Sequence, residues 1–316
     1  MMPRAQQHRG PAAHIRQNIV LYGALAANLG IAVAKFVAAA LSGSSSMTTE
    51  GVHSLVDSGN QLLMLYGQSR AGRPPDRLHP FGYARELYFW AFIVAILIFA
   101  VGAGVSIYEG VVHIQDPNPI ENPTMNYIVL AIAFLLEGAS WSIAVREFDK
   151  NRGDLSWWRA VRRSKDPPGF IVLFEDSAAL LGLVVAACGV WASGHFGDTR
   201  IDGAASIAIG LVLAGVAILL ARESKGLLIG EAADSELIDS LHQIMSGHPL
   251  IETVNHIRTV HTGPDSVFVA ISADFADHVP MGEAETVIEE LERRMKALSP
   301  AIASIYIRPE KREDAV

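Results

Sequence analysis

The chain contains very little cysteine and little charge. Its 316 residues include one cysteine, Cys188, which excludes an intramolecular disulfide framework and a zinc site built from several cysteines. Charged residues make up 18%, against about 25% in an average soluble domain, whereas hydrophobic residues make up 50%. With a mean hydropathy of +0.28, this composition disfavours a disordered protein, a nucleic-acid binder and an ordinary cytosolic enzyme.

The motifs of common enzymes and nucleotide-binding proteins are also missing. The sequence contains no Gly-x-Ser-x-Gly, no phosphate-binding loop and no dinucleotide fingerprint. We therefore expect no ATP site and no organic cofactor. A membrane-embedded hydrolase would need a nucleophile, and none is recognisable in the chain.

Six long apolar stretches occupy most of the first two thirds of the chain. A helix needs about 20 apolar residues to cross about 30 Å of hydrocarbon. The first stretch carries Lys35 as its only charge, and the second is the most polar of the six. The stretches cover residues 19–41, 47–68, 87–107, 125–145, 170–189 and 203–221. The sequence therefore predicts an α-helical membrane protein with six transmembrane helices.

Lysine and arginine are distributed unevenly among the segments that join these stretches. The amino-terminal tail carries three arginines and the second loop four, and residues 150–165 of the fourth loop carry six lysines and arginines. The loops at residues 42–46 and 114–124 carry none, and the last loop carries Arg200 alone. Because Lys/Arg-rich loops stay in the cytoplasm, both termini are predicted to be cytoplasmic.

The last third of the chain differs in composition from the rest. Residues 1–221 contain 16 basic and 16 acidic residues, whereas residues 222–316 contain 9 and 17, so this part carries the net charge of −8. Its pattern predicts helices at residues 234–247 and 283–297 and strands at 254–260, 266–275 and 302–307. This αββαβ order indicates a cytoplasmic α+β domain. We predict a transmembrane domain at residues 1–225 and a C-terminal domain at residues 226–316.

Ionisable side chains are concentrated in the second stretch. Such residues cost at least about 2.5 kcal/mol each in mid-membrane, so they are functional candidates. Steps of three and four place all of them on one helix face: Glu50, His53, Asp57, Asn60 and Gln61. His53 and Asp57 offer an imidazole nitrogen and a carboxylate to one cation, the donor mix of a zinc site. The alternative is a polar stripe that packs against another helix or lines a water cavity.

The fifth stretch contributes two adjacent acids, Glu175 and Asp176. Neighbouring helical residues diverge by about 100°, so only one of them faces a given point squarely. At least one is a candidate metal ligand, because two uncompensated acids within a span have no evident structural use. In the structural alternative, one of them pairs with Lys35 or forms a hydrogen bond between helices.

Two segments of the sequence resemble the cation diffusion facilitator family. They are the run His53-Ser-Leu-Val-Asp-Ser-Gly-Asn-Gln61 and the run His79-Pro-Phe-Gly-Tyr-Ala-Arg-Glu86. The resemblance is to the branch that contains the mitochondrial zinc transporter homologues and their bacterial relatives, and it covers nearly the whole chain. It implies a homodimer in the lipid bilayer that exports a divalent metal from the cytoplasm in exchange for protons.

The resemblance also assigns ligands, although the match is incomplete. The family takes one pair of ligands from the second span and one from the fifth, which places His53 and Asp57 in the first pair and Asp176 in the second. Val172 stands where the fourth ligand is expected, so Glu175 or a water would have to replace it. Asp176 is then expected to be the stronger of the two acids.

Further positions of the family's metal sites are only partly retained. Tyr83 replaces a histidine often found in the loop after the second span, so no second site is expected there. In the C-terminal domain, His256 matches a metal position, whereas Ile271 and Glu285 replace histidines. Metal binding by the C-terminal domain is therefore expected to be weak.

The sequence thus predicts a secondary transporter of Zn²⁺ and protons whose metal site contains His53, Asp57, Asp176 and Glu175. His53 is the natural proton carrier, because the ordinary pKa of histidine is about 6.5. One alternative keeps the mechanism but exchanges zinc for Mn²⁺, Fe²⁺ or Co²⁺, which suit an oxygen-rich site. Another is a metal sensor or scaffold that does not transport. We expect the protein in the bacterial inner membrane.

Overall fold

The structure, a computed structural model, describes residues 11–120 and 123–315. Most of these residues are helical. The helices are α1 (Pro11–Ser42), α2 (Ser45–Ala71), α3 (Glu86–Leu97), α4 (Gly104–Gln115), α5 (Pro123–Arg152), α6 (Trp157–Arg163), α7 (Pro167–Phe196), α8 (Arg200–Ile229), α9 (Ser235–Ser246) and α10 (Met281–Leu298). The strands are β1 (Ile251–Gly263), β2 (Ser266–Phe275) and β3 (Ile302–Pro309).

Four helical segments of the described chain are long and apolar enough to cross a membrane. They are Glu86–Gln115, which contains α3 and α4, and Pro123–Lys150, Pro167–Phe196 and Arg200–Ile229. Helix α1 contributes a shorter apolar stretch, Asn28–Ser42. Helix α2 is 27 residues long, but the polar stripe predicted from the sequence lowers its hydropathy. The structure thus supports a multi-pass membrane protein, and the count of six spans stays a prediction.

The third predicted span is one continuous helical segment with a π-helical turn in its middle. Residues Ile98–Ala103 form a π-helical turn between α3 and α4. Such turns insert an extra residue into a helix and often occur near functional sites. Hydropathy cannot reveal this turn, because its residues are as apolar as their neighbours.

The chain divides into two compact units. The first contains residues up to Tyr66 together with Ile93–Gly153 and Pro168–Ala221. The second contains Gly67–Phe92, Asp154–Pro167 and Arg222–Val316. The second unit therefore includes short segments from between the predicted spans as well as the C-terminal elements.

Small residues allow the helices of the first unit to pack closely. A Cβ added at Gly110 of α4 would lie 2.5 Å from the carbonyl oxygen of Gly203 in α8. A Cβ at Gly189 of α7 would lie 2.5 Å from the Cβ of Ala205, also in α8. Helices in lipid associate through such close contacts, since water does not drive them together. Helix α8 is thereby held against both α4 and α7.

A buried carboxylate stabilises the amino-terminal end of α2. Asp202 accepts hydrogen bonds from the hydroxyls of Ser44 and Ser46 and from the backbone N–H of Ser46. The first N–H groups of a helix lack partners within the helix, and a negative charge there is favourable. Asp202 thus fixes the start of α2 to the first turn of α8.

The second unit contains a three-stranded sheet in the order β1-β2-β3. Strands β1 and β2 pair antiparallel, while β2 and β3 pair in parallel. Alternate residues of β2 enter a core with α9 and α10; this core includes Leu241, Met245, Val267, Val269, Ile271, Leu291, Met295 and Ile305. The elements follow the order αββαβ, and β1 is longer than the predicted strand at residues 254–260. Register shifts near both ends of β1 interrupt the alternation of inward and outward side chains, so the sequence pattern marks only part of this strand.

Candidate metal site

Helix α2 brings the predicted stripe together on one face inside the first unit. Glu50, His53 and Asn60 are buried, and the side chain of Asp57 is 14% exposed. The Nε2 atom of His53 lies 3.5 Å from an Oδ atom of Asp57, as expected for residues one helical turn apart. The two residues predicted as the first ligand pair therefore lie side by side and largely buried, and their role as ligands stays a prediction.

Several polar atoms of this stripe are buried and lack a partner. Among the described residues, neither imidazole nitrogen of His53 accepts or donates a hydrogen bond, and the same holds for Oδ1 of Asp57 and of Asn60. Buried polar atoms are nearly always paired, so each exception calls for an explanation. A cation bound between His53 and Asp57 would satisfy one imidazole nitrogen and Oδ1 of Asp57.

The two acids of α7 point in different directions. Glu175 is buried and accepts a hydrogen bond from the side-chain amide of Asn60 on α2, at 2.7 Å. Asp176 accepts a hydrogen bond from the hydroxyl of Ser140 on α5, at 2.9 Å. Because neighbouring residues on a helix diverge by about 100°, Glu175 and Asp176 contact two different helices. Glu175 is the acid that contacts the helix of His53 and Asp57.

The predicted ligands approach one another without forming a closed cage. Among the residues that the structure describes, no group of three His, Cys, Asp or Glu side chains stands close enough to hold an ion. Glu175 nevertheless reaches α2 through its hydrogen bond to Asn60. Val172 is exposed, and its apolar side chain has no donor to offer. His53 and Asp57 thus lie side by side on α2, and the completion of a metal site by the acids of α7 stays a prediction.

A buried ion pair lies one turn from His53. The ammonium of Lys35 donates hydrogen bonds to Glu50, at 2.9 Å, and to the hydroxyl of Ser54, at 2.8 Å, and the side chains of Lys35 and Glu50 are fully buried. A Cβ added at Gly182 of α7 would stand 2.5 Å from the carboxylate of Glu50. The sequence offered one of the α7 acids as a partner for Lys35, whereas the structure gives it Glu50.

Breaking this pair is expected to destabilise the protein strongly. Lys35→Met leaves the Glu50 carboxylate buried without a counter-charge, which costs about 3–5 kcal/mol of unfolding free energy. The double variant Lys35→Met/Glu50→Gln removes both charges, so its loss should be clearly smaller. Thermal unfolding in detergent compares the two variants. Lys296→Met provides a control, because Lys296 pairs with Glu292 on an exposed helix face, where such pairs contribute at most about 1 kcal/mol. A single variant no worse than the double one would contradict this expectation.

The loop before the third predicted span is folded around Asp76. Its carboxylate accepts hydrogen bonds from the Tyr83 hydroxyl, at 2.6 Å, and from the backbone N–H groups of Leu78 and His79. The hydrogen bond from Tyr83 is the main reason why the pKa of Asp76 lies below its usual value. This arrangement fits the turn of a packed loop better than a second ion site.

The histidines of the C-terminal elements do not meet. His256 lies on β1 opposite Ser272, His261 is buried near the end of the same strand, and His278 is exposed. The pKa of His261 is lowered, chiefly by burial. The weak metal binding expected of these elements stays a prediction.

Comparison with known proteins identifies the family. Residues 21–229 match the model of the cation efflux transmembrane domain. The chain belongs to the cation efflux family. This confirms the resemblance to the cation diffusion facilitators and makes the protein a membrane transporter rather than an enzyme.

Individual relatives share part of their length with this cation efflux protein. It is 32% identical over 247 residues to "Proton-coupled zinc antiporter SLC30A9, mitochondrial" of both Xenopus laevis and Homo sapiens, which covers 78% of this chain and 44% of theirs. It is 32% identical to metal tolerance protein C4 of Arabidopsis thaliana over 241 residues, which cover 74% of this chain and 52% of the plant protein. The chain thus spans about half the length of these relatives.

A bacterial relative matches with lower identity. The cation-efflux pump FieF of Escherichia coli is 23% identical over 253 residues, which cover 79% of this chain and 78% of FieF. The expected placement in a bacterial inner membrane is contradicted, because the relatives at 32% identity include proteins named as mitochondrial and a plant protein. The sequence misled here because the hydrocarbon layer of any membrane selects the same apolar spans.

The structural alternative for the α7 acids, a hydrogen bond between helices, is found for both Glu175 and Asp176, but the sequence did not indicate which residues are the partners. Lys35, Asn60 and Ser140 each form a hydrogen bond to an acid of the stripe or of α7. Lys35 and Asn60 were visible as polar residues within spans, which was a signal that each needs a partner. The identity of the partners depends on how the helices are rotated, which periodicity does not provide.

Proposed function

We propose that this protein exports Zn²⁺ across its membrane in exchange for protons, through a site formed by His53, Asp57, Glu175 and Asp176. One observation carries the proposal: His53 and Asp57 form a buried pair with unpartnered atoms, and Glu175 of α7 contacts the same helix through Asn60. A cation efflux transporter needs a place for its cargo within the bilayer. Buried polar atoms without partners cost stability in a membrane span, so a function is the expected reason for keeping them.

The donor set supports zinc as the cargo. One imidazole nitrogen and carboxylate oxygens are ordinary zinc ligands, and four of them suit its tetrahedral preference. Relatives at 32% identity are named proton-coupled zinc antiporters. The incomplete cage also fits a transported ion, since cargo has to leave the site as readily as it enters.

Exchange for protons follows from the chemistry of these ligands. A carboxylate or imidazole binds a metal ion only when it is deprotonated, so a proton and the metal compete for the same atoms. If the site opens to one side of the membrane with metal bound and to the other side with protons bound, metal movement is coupled to proton movement. Among the four side chains, His53 is the one whose ordinary pKa lies close to neutrality.

The hydrogen bond between Asn60 and Glu175 gives the movement of α7 a structural basis. This bond joins the second and fifth predicted spans at 2.7 Å, while Asp176 joins α7 to α5. A metal that draws Glu175 towards His53 and Asp57 competes with Asn60 for the same carboxylate. We propose that the resulting weakening of this bond accompanies the change of access between the two sides.

Transport by the purified full chain in proteoliposomes tests the proposal. With an imposed pH gradient, Zn²⁺ should move against the protons and dissipate the gradient, and the initial rate should exceed that of liposomes without protein several-fold. Zinc movement that is indifferent to the gradient would contradict proton exchange. No movement of any divalent ion would contradict transport through this site.

The same assay decides a second candidate cargo. The four proposed ligands comprise three carboxylates and one imidazole, an oxygen-rich set that also suits Mn²⁺, Fe²⁺ or Co²⁺. Each ion is added in a concentration series to the zinc-uptake experiment. If Mn²⁺ or Fe²⁺ half-inhibits zinc uptake at a lower concentration than the zinc concentration that half-saturates uptake, that ion is the better candidate for the cargo.

We also propose that residues 226–316 form a domain that holds two copies of the chain together. The elements from α9 to β3 have a common apolar core, and the family resemblance implies a homodimer. A chain truncated after Gly230 should dissociate more readily than the full chain. Light scattering over a concentration series in detergent measures this difference. Equal dimerisation of both proteins would show that the predicted spans carry the dimer instead.

A further inference from the structure

A polar cavity lies in the first unit, away from the candidate metal site. It has a volume of about 350 Å³ and lies between the last turns of α1 and α4 and the first turns of α2. Its lining includes Phe36, Ser45, Glu109, His113, Asp116 and Asn118. The loops beside it are those at residues 42–46 and 114–124, which carry no lysine or arginine. The cavity therefore belongs to the Lys/Arg-poor side of the chain.

Three side chains of types that can bind metals lie along one face of α4 and just beyond its end. Glu109 and His113 are four residues apart, and Asp116 follows three residues later, so all three share a face. The His113 side chain is only 6% exposed, and its Nε2 atom has no hydrogen-bond partner in the described part of the chain. A buried imidazole nitrogen without a partner, in the wall of a polar cavity, is an available ligand.

The backbone around the cavity also favours a cation. Helices α1 and α4 both end here, and the carboxyl end of a helix carries a partial negative charge. The opposing start of α2 carries a partial positive charge, but Asp202 already offsets it through its hydrogen bonds to Ser44 and Ser46. With Glu109 and Asp116 added, the field at the cavity is negative.

The cavity also reaches the helix of the candidate metal site, since Ser45 and Thr48 of α2 line it. Phe36 lines it from α1, and its ring lies against Gly51: a Cβ there would be 2.9 Å from the ring. Gly51 precedes His53 by two residues, so it faces a different side of α2 from His53. Along α2, the cavity therefore begins about one and a half turns before His53.

We infer that Glu109 and His113, with help from Asp116, form a second and weak binding site for a divalent cation. This inference rests on the proposed function and extends it: an ion that leaves His53 and Asp57 would occupy this cavity before release on the Lys/Arg-poor side. The described residues gather no group of three donors around one point, so water completes the coordination shell. Weak, water-rich binding suits an exit site, because transport requires that the ion leaves.

Metal binding by the full chain tests the inference separately from transport. In an Asp57→Ala background, which removes a ligand of the central site, residual Zn²⁺ binding is measured by equilibrium dialysis in detergent. Glu109→Gln, on a half-buried residue that tolerates an isosteric change, should weaken the residual binding at least tenfold, and His113→Asn should do the same. His195→Asn is the matched control, since His195 is exposed at the end of α7 on the same Lys/Arg-poor side, and it should change nothing.

A second measurement relates the cavity to the direction of transport. Zinc added on the Lys/Arg-poor side should inhibit transport by the otherwise unchanged chain, and Glu109→Gln should raise the inhibitory concentration at least fivefold. Residual zinc binding that is indifferent to both Glu109 and His113 would overturn the inference. If the unmodified chain moves no metal while the residual binding still depends on these residues, the proposed function fails and the cavity site stands.

Discussion

Asp57→Ala is expected to abolish zinc transport, with a loss of at least about 100-fold, because even outer partners of metal ligands are worth 10- to 100-fold. Asp57 provides the carboxylate that lies 3.5 Å from His53, whereas Glu50 is paired with Lys35, and a single imidazole does not hold a divalent ion against water. Initial zinc uptake into proteoliposomes measures the effect. Transport at the rate of the unmodified chain would show that the site is elsewhere.

The same substitution should leave the fold intact, which separates loss of function from loss of structure. In the described part of the chain, Oδ1 of Asp57 has no hydrogen-bond partner, and Oδ2 makes the 3.5 Å contact with His53. Removal of the carboxylate therefore loses only that contact and relieves the cost of burying the group. The thermal midpoint of Asp57→Ala should therefore equal or exceed that of the unmodified chain. Asp149→Ala is a matched control at an exposed position, where Asp149 pairs with Arg152, and it should transport normally.

The helices were predictable because each is encoded by a continuous run of residues. The stretch at residues 125–145 lies within α5, and the stretch at 203–221 lies within α8. Both helices extend further than predicted, because hydropathy marks only the part that needs to be apolar, whereas the backbone remains helical among polar residues. The π-helical turn at Ile98–Ala103 was not predictable, since it changes hydrogen bonding without changing composition.

The polar stripe of α2 was predictable for the same reason. The approach of His53 to Asp57 depends on the pitch of one helix alone. The direction of Glu175 and Asp176 depends on the rotation of α7 against two other helices, and no property of a single helix determines it. The pairing of Lys35 with Glu50 is another case, because both Glu50 and the acids of α7 were chemically suitable partners.

Glu175→Gln is expected to weaken zinc binding at least tenfold, which corresponds to about 1.4 kcal/mol. Glu175 is the buried acid that contacts α2, through Asn60. Glutamine keeps the size of the side chain and can still accept the hydrogen bond from Asn60, so the variant removes the charge and the ligand without loosening the helix contact. Calorimetric titration of the full chain with Zn²⁺ measures the change in affinity.

Asp176→Asn provides the comparison, and its expected effect is smaller, about threefold or less on the same affinity scale. Asp176 is held by Ser140 of α5, so it has to leave this partner before it can bind the ion and is expected to be the weaker ligand of the two acids. The family resemblance favours the reverse ranking, with Asp176 the stronger ligand. Ser140→Ala distinguishes the two rankings, because it releases Asp176: zinc affinity should stay nearly unchanged if Glu175 is the stronger ligand and should change if Asp176 is. A large loss in Asp176→Asn with a small one in Glu175→Gln would mean that α7 rotates when metal binds and turns Asp176 towards α2.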